Sequence, residues 1–469
     1  MTITKKILYH KGALCIAALL LNIFFLSFHY NKPFFEELLL PHGEIAYNVC
    51  MHNSIKTNPE RMKQVALQQR DKGALIDYAD IDHSHFAYPT EYRSINDTVG
   101  YGIVLGLLWK LTGACYYWYM QIVQAILFSL GMWLFYDIAF LLFGNAHIAL
   151  FCSIAQLFFF PLMYLNVQVL RDIWAYYALL LLLYGLLSYL KKGTSVYTVI
   201  MCSIFFSLFQ GVRPTVFFTL ATVSLAVWWW FKNERTKKVM TALGIFWITN
   251  VLLFWLPFMA YNKIAYNQYL VSPAGQDLYE GLGEFENDKG YVMDDGVFER
   301  EMKEKYGLVL GTVACDEKGK ELFWQAVKED PAFYITCLVK RLQFIFFFNP
   351  LWTSYVDDLF NSAATMKEKI RIVVTQPGSF VMKCIDYLSA KLLYVEFFLL
   401  LGWLGFFLLL LQKNYLPVVM VAAVILSSIS KFPSHMEPRY LVTFYWVFSF
   451  FVGYLAWSAK EYFFKQSKS

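Results

Sequence analysis

Charge is scarce in this sequence. Only 16% of its 469 residues are Asp, Glu, Lys or Arg, whereas 58% are hydrophobic. A soluble protein of this length could not cover its surface with so few charges. The eight cysteines are scattered, with no CxxC pair and no Cys/His spacing that suits zinc. Cys15, Cys152 and Cys202 sit in apolar runs, and Cys50, Cys115 and Cys315 suit an oxidising compartment without specifying any pairing. There is no GxxxxGK[ST], which argues against an ATP-driven pump, and neither a GxSxG elbow nor an HExxH helix. Paired inverted repeats with broken helices, expected of many secondary transporters, are also missing. The net charge of +5 forms no Lys/Arg stripe, so no nucleic-acid partner is expected.

What is present is a series of apolar runs. They fall at 12–28, 116–139, 146–168, 173–190, 195–211, 214–231, 240–261, 392–411, 415–430 and 440–459. A straight span needs roughly 20 apolar residues, which gives about ten candidate transmembrane helices. The expected fold class is therefore an all-α polytopic membrane protein. Pro161 and Pro257 should kink their helices. Aromatics make up 19% of the chain, and many Tyr and Trp residues lie at run ends, where headgroups hold amphipathic rings. Lys5, Lys6 and Lys11 precede the first run as in a signal peptide, but no small-residue cleavage site follows, so an uncleaved span is expected.

Basic residues set the orientation. With a cytoplasmic N-terminus, every short basic loop falls inside: Lys191 and Lys192; Lys232, Arg235, Lys237 and Lys238; and Lys413. The tail with Lys460, Lys465 and Lys468 is cytoplasmic too. The chain then divides into an N-terminal span (1–28), a first extracytoplasmic segment (29–115), a helix bundle (116–261), a second extracytoplasmic segment (262–391), and C-terminal spans with a basic tail (392–469). Each long segment carries an apolar stretch expected to lie at the interface: Tyr101 to Leu111 and Phe333 to Phe348.

Five groups carry candidate chemistry. Glu44, in PHGEIAY, is either a solvated loop acid or a general base for a hydroxyl. Arg171 and Asp172 are either a snorkelling pair at a helix boundary or functional charges beside hydrocarbon. Arg213, in FQGVRPT, suits a headgroup anchor or a lipid phosphate equally. His435, Glu437, Arg439 and Tyr440, in SHMEPRYL, form a cluster with more chemical variety than an anchor needs, although Glu437 and Arg439 can also simply neutralise each other. Asp80, Asp82, His83 and His85 are oxygen and nitrogen donors that match no structural zinc pattern and are expected to be a polar loop.

Taken in order, these segments resemble the GT-C superfamily of membrane glycosyltransferases, in particular bacterial members similar to protein O-mannosyltransferases and lipid A aminoarabinose transferases. The acid in HGEIAY, followed by Tyr47, is placed where that family has a catalytic Asp followed by an aromatic. The stretch VGYGIVLGLLWKLTG is similar to the family's juxtamembrane helix, with Gly100 in place of the expected Pro before Tyr101. LRDIW, GVRPT, HMEPRYL and AGQDLYEGLGEFENDKGYVMDDG also resemble family segments. The resemblance implies transfer of a sugar from a polyprenyl-phosphate donor to an extracytoplasmic acceptor, with inversion and no required metal or other cofactor. Glu44 would be the base, and Arg213 and Arg439 would hold the departing phosphate. Arg171, Asp172, Glu437, His435, Tyr47, Tyr101 and Tyr440 would line the donor and acceptor site. Other classes the residues admit are a polysaccharide polymerase or ligase of another fold, a transporter or flippase, and a non-enzymatic membrane scaffold.

Overall fold

The computed structural model describes residues 3–29, 36–57, 78, 99–214, 217–271, 274–347, 394–428, 433–434 and 438–466. Among them helix is the regular secondary structure, with no strand. Helices α1 (Ile3–His29) and α2 (Glu36–His52) open the chain, and α3 (Gly100–Thr112) follows the first long segment. The bundle proper is α4 (Trp118–Phe143), α5 (Ala146–Leu157), α6 (Phe160–Val167), α7 (Ile173–Leu187), α8 (Val196–Val212), α9 (Phe217–Asn250) and α10 (Leu256–Tyr266). A small helical unit follows, made of α11 (Ala274–Glu280), α12 (Asp295–Tyr306), α13 (Val313–Glu329) and α14 (Pro331–Phe347). Helices α15 (Tyr394–Leu411), α16 (Tyr415–Ser427), α17 (Pro438–Tyr445) and α18 (Phe448–Gln466) return to the bundle.

Four stretches are long and apolar enough to cross a membrane: Ile7–Leu26, Trp118–Phe143, Ile173–Lys192 and Arg235–Tyr266. A fifth is added if the bent pair α5 and α6 is one span. Shorter apolar helices lie at Gly100–Thr112, Val196–Val212, Glu396–Leu411 and Tyr415–Ser427. Large apolar side chains face outward from the spans, among them Leu20 and Ile23 on α1, Leu130 on α4, and Leu225 and Ile248 on α9. Such a surface would be a liability in water and is the right one for hydrocarbon.

Both prolines mark breaks. Pro161 starts α6, and the 146–168 run bends there by 57°. Pro257 starts α10, and the turn before it (Val251–Trp255) widens to a π-helix. A proline ring crowds the carbonyl four residues back, and a wider turn relieves it.

Helices approach closely through small residues and stacked rings, the packing that holds bundles in lipid. Gly453 of α18 sits against the backbone of Cys152 on α5, and Gly405 of α15 against the carbonyl of Phe451. Phe135 and Phe450 stack face to face at 4.5 Å, and Phe143 stacks on Tyr454 at 5.3 Å.

The unit formed by α11 to α14 has two small cores of its own, one around Leu282, Phe323 and Ala326, the other around Phe298, Met302 and Cys315. Helix α14 covers the stretch expected to lie at an interface. Ile335, Val339 and Leu342 form an exposed apolar stripe along it, while Cys337 and Arg341 face inward. Arg341 is fully buried: its Nε donates to Glu284 at 2.6 Å, Nη2 to the Gly281 carbonyl, and Nη1 to the Pro433 carbonyl at 3.4 Å. Tyr334 donates to the same Pro433 carbonyl at 3.1 Å. Two side chains of α14 thus grip the chain just before α17.

Candidate functional site

Glu44 lies on α2, which packs lengthwise on α3. Two glycines one turn apart make that approach close. A methyl added at Gly102 would fall 2.6 Å from Ile45 Cβ, and one at Gly106 would fall 2.5 Å from the Ala46 carbonyl oxygen. The consequence is a fixed relation between the HGEIAY segment and the start of α3. The His42 and Tyr101 rings meet edge to face at 5.4 Å.

The Glu44 carboxylate is fully buried and held at both oxygens. Tyr78 donates its hydroxyl to Oε2 at 2.6 Å, and Asn48 donates to Oε1 at 3.2 Å. Asn48 also donates to the Lys56 carbonyl at 2.7 Å, which ties α2 to the chain beyond it. The Tyr78 ring lies between Tyr47 and Trp109, with centroids at 5.4 and 5.6 Å, and Trp109 meets Tyr117 at 5.6 Å. An aromatic wall therefore surrounds the acid.

Tyr101 points the other way, into the bundle. Its hydroxyl donates to Gln124 Oε1 at 3.3 Å. Gln124 in turn donates to the carbonyls of Asn166 and Gln168, both at 2.7 Å, and Gln121 donates to that of Val167 at 2.8 Å. These side chains satisfy the non-helical backbone between α6 and α7, which could not otherwise persist among apolar helices. Tyr177 and Asn22 complete the network through Asn166. Burial raises the Tyr101 phenol well above its usual range, and Tyr117 and the Asp172 carboxylate add to the effect. Tyr101 therefore remains a neutral donor.

Asp172 closes that irregular stretch at the start of α7 and pairs with Arg213 Nη2 at 2.8 Å. Both side chains are almost completely buried, at 4% and 3% exposure. Arg213 caps the C-terminal end of α8. That end reaches α3 because Gly100 has no side chain; a methyl there would fall 2.2 Å from the Gly211 carbonyl oxygen. Glycine at position 100 thus has a steric consequence, the direct seating of α3 on α8. Arg171 is half-buried beside Asp172.

Six sequence candidates therefore gather at one end of the bundle: Glu44, Tyr47, Tyr101, Arg171, Asp172 and Arg213. His42, two residues before Glu44 on α2, meets the Tyr101 ring, and the Tyr101 phenol feels the Asp172 carboxylate that pairs with Arg213. Helix α17, whose first turn carries Arg439 and Tyr440, packs on both α6 and α7. The side chains of Arg439 and Tyr440, and residues His435 and Glu437, lie outside the described set, as do Asp80, Asp82, His83 and His85. Among the described residues no three His, Cys, Asp or Glu side chains converge as metal ligands. Sequence reasoning missed Tyr78, Asn48, Gln124 and Arg341. Two glutamines three residues apart in an otherwise apolar run, Gln121 and Gln124, were the available signal for the polar network.

No family model matches the chain, and neither a curated protein nor a solved structure matches it.

Proposed function

We propose that this chain is a GT-C-type membrane glycosyltransferase that moves a sugar from a polyprenyl-phosphate carrier to an acceptor outside the cytoplasmic membrane. One observation carries the reading: a carboxylate on the helix after the first span and a buried Asp–Arg pair share one end of the bundle, joined by the His42–Tyr101 contact. On this reading the chain has ten spans, with both termini and the basic turns in the cytoplasm. The opposite locations of the two chemistries agree with it. Lys191 donates to the carbonyl of Leu141 near the end of α4, and Gln412, next to Lys413, bonds Tyr454 beside Phe143. The basic turns therefore gather at the end away from Asp172.

The acceptor hydroxyl attacks the anomeric carbon while the bond from that carbon to the phosphate oxygen breaks. Glu44 takes the hydroxyl proton, its carboxylate aimed by Tyr78 and Asn48. The departing polyprenyl phosphate gains negative charge, which Arg213 and Arg439 offset in a low-dielectric setting. Asp172 orients Arg213 and keeps it from being a lone buried cation before the donor arrives. The lipid tail leaves laterally along the apolar helices. The reaction inverts the anomeric centre because attack and departure lie on opposite faces of the sugar.

A donor screen tests this directly. Purified full-length protein, incubated with radiolabelled polyprenyl-phosphate sugars and membrane extract, should transfer label from one of them. If a nucleotide-linked sugar is the donor used instead, or if no polyprenyl-phosphate sugar is consumed, the reading fails.

A further inference from the structure

At the end of the bundle away from Glu44, two basic turns face each other. One follows α7: a π-turn (Ser188–Lys192) closed by Gly193 in the left-handed conformation, φ +71°. The other interrupts α9, where Arg235 leaves helical geometry at φ −142° and ψ 32°. Between them is an open cavity of about 620 Å³ lined by Lys191, Lys192, Arg235, Thr236, Lys237 and Lys238. Among the described residues no acid lines it. Lysines that merely anchor a helix snorkel outward and apart. Here five cations from two turns line one space, an arrangement that an anion would stabilise.

The depth of the cavity identifies the anion. Trp228, Trp229 and Trp230 stand one to two turns before Arg235, and the Lys232 ammonium lies over the Trp228 ring at 4.9 Å. Tryptophans of this kind sit at headgroup level. We infer that this cavity binds the phosphate group of an anionic phospholipid from the adjoining leaflet. Lys and Arg donors at this depth make charge-assisted hydrogen bonds to phosphate oxygens, as basic pockets between membrane helices do. The site is separate from the proposed transfer chemistry and stands whether or not that reading holds.

Native mass spectrometry of the full chain in neutral detergent tests it, with phosphatidylglycerol, phosphatidylcholine and inorganic phosphate as probes. Phosphatidylglycerol should bind in preference to phosphatidylcholine. The double variant Lys237→Gln/Lys238→Gln should weaken that binding roughly thirtyfold. Lys413→Gln/Lys460→Gln removes the same charge elsewhere and should change it less than about threefold. Equal weakening in both variants would reduce the site to diffuse charge and overturn the inference. Displacement by equimolar inorganic phosphate would overturn the lipid assignment in favour of a soluble anion. Wild-type protein gives an independent reading: binding should fall steeply as ionic strength rises from about 0.01 to 1 M. Salt-independent binding contradicts the inference even if the variants fail to fold.

Discussion

Asp172 and Arg213 form a buried ion pair at 2.8 Å although 40 positions of chain and two helices separate them. The pair joins the irregular start of α7 to the end of α8, at the point where Gly100 lets α3 rest on α8. Three helices are thereby fixed around one charge pair.

Removing either partner should be costly. Asp172→Asn or Arg213→Met breaks a buried ion pair, a loss of about 3–5 kcal/mol. The double variant Asp172→Asn/Arg213→Met should recover most of that stability without recovering transfer. Thermal unfolding in detergent measures the first effect and donor turnover the second.

Gly100→Ala should separate packing from chemistry. The added methyl would collide with the Gly211 backbone and push α3 off α8. Overpacking of this kind costs about 1–3 kcal/mol. Because Tyr101 moves with α3, its bond to Gln124 should break as well. Hydrogen exchange across 100–112 and 166–172 should rise in this variant; unchanged exchange would mean the contact does not order the site.

Much of the helical plan was legible in the sequence. The runs at 116–139, 173–190 and 392–411 became α4, α7 and α15, and Pro161 bends its helix as expected. Apolar runs and proline chemistry are local, so they show in one dimension. The basic turn at 232–238 was legible too: the helix breaks at Arg235, and Trp247 Nε1 donates to Ser224 Oγ at 3.2 Å, so the runs 214–231 and 240–261 lie side by side as two segments. The candidate site was half legible. Charges beside apolar runs marked Glu44, Asp172 and Arg213, and the Gln121/Gln124 spacing hinted at a polar network, but Tyr78 acts through a contact 34 positions away that no spacing encodes.

Arg341 was hidden for the same reason. It lies in the apolar stretch Phe333 to Phe348 with nothing in the sequence to mark it, and the fold encloses it completely. Arg341→Met removes the buried bonds to Glu284 and the Gly281 carbonyl, with an expected loss of about 3–5 kcal/mol. The unit of α11 to α14 should also lose its grip on Pro433. Limited proteolysis near 433–434 should accelerate in this variant, and resistance equal to wild type would contradict the clamp.

Glu280 gives that unit a pH dependence. Burial, then repulsion from Asp295 and Asp277, raises its carboxyl from 4.5 to about 9, against a lowering hydrogen bond from Gln276. The folded state therefore holds a proton that the unfolded chain releases near its ordinary value. Stability from this group is full below about pH 4.5 and falls as pH rises toward about 9. Glu280→Gln should flatten the decline in thermal stability of α11 to α14 between those limits. A decline unchanged by the substitution would show that another group is responsible.

The central claim is that the Glu44 carboxylate accepts the acceptor's proton. Glu44→Gln keeps the shape and an oxygen for Tyr78 or Asn48 but cannot take a proton. Single-turnover transfer from the polyprenyl-phosphate sugar, measured on folded Glu44→Gln, should fall by roughly 10²–10⁴-fold with donor binding retained. Transfer at the wild-type rate would remove Glu44 from the chemistry.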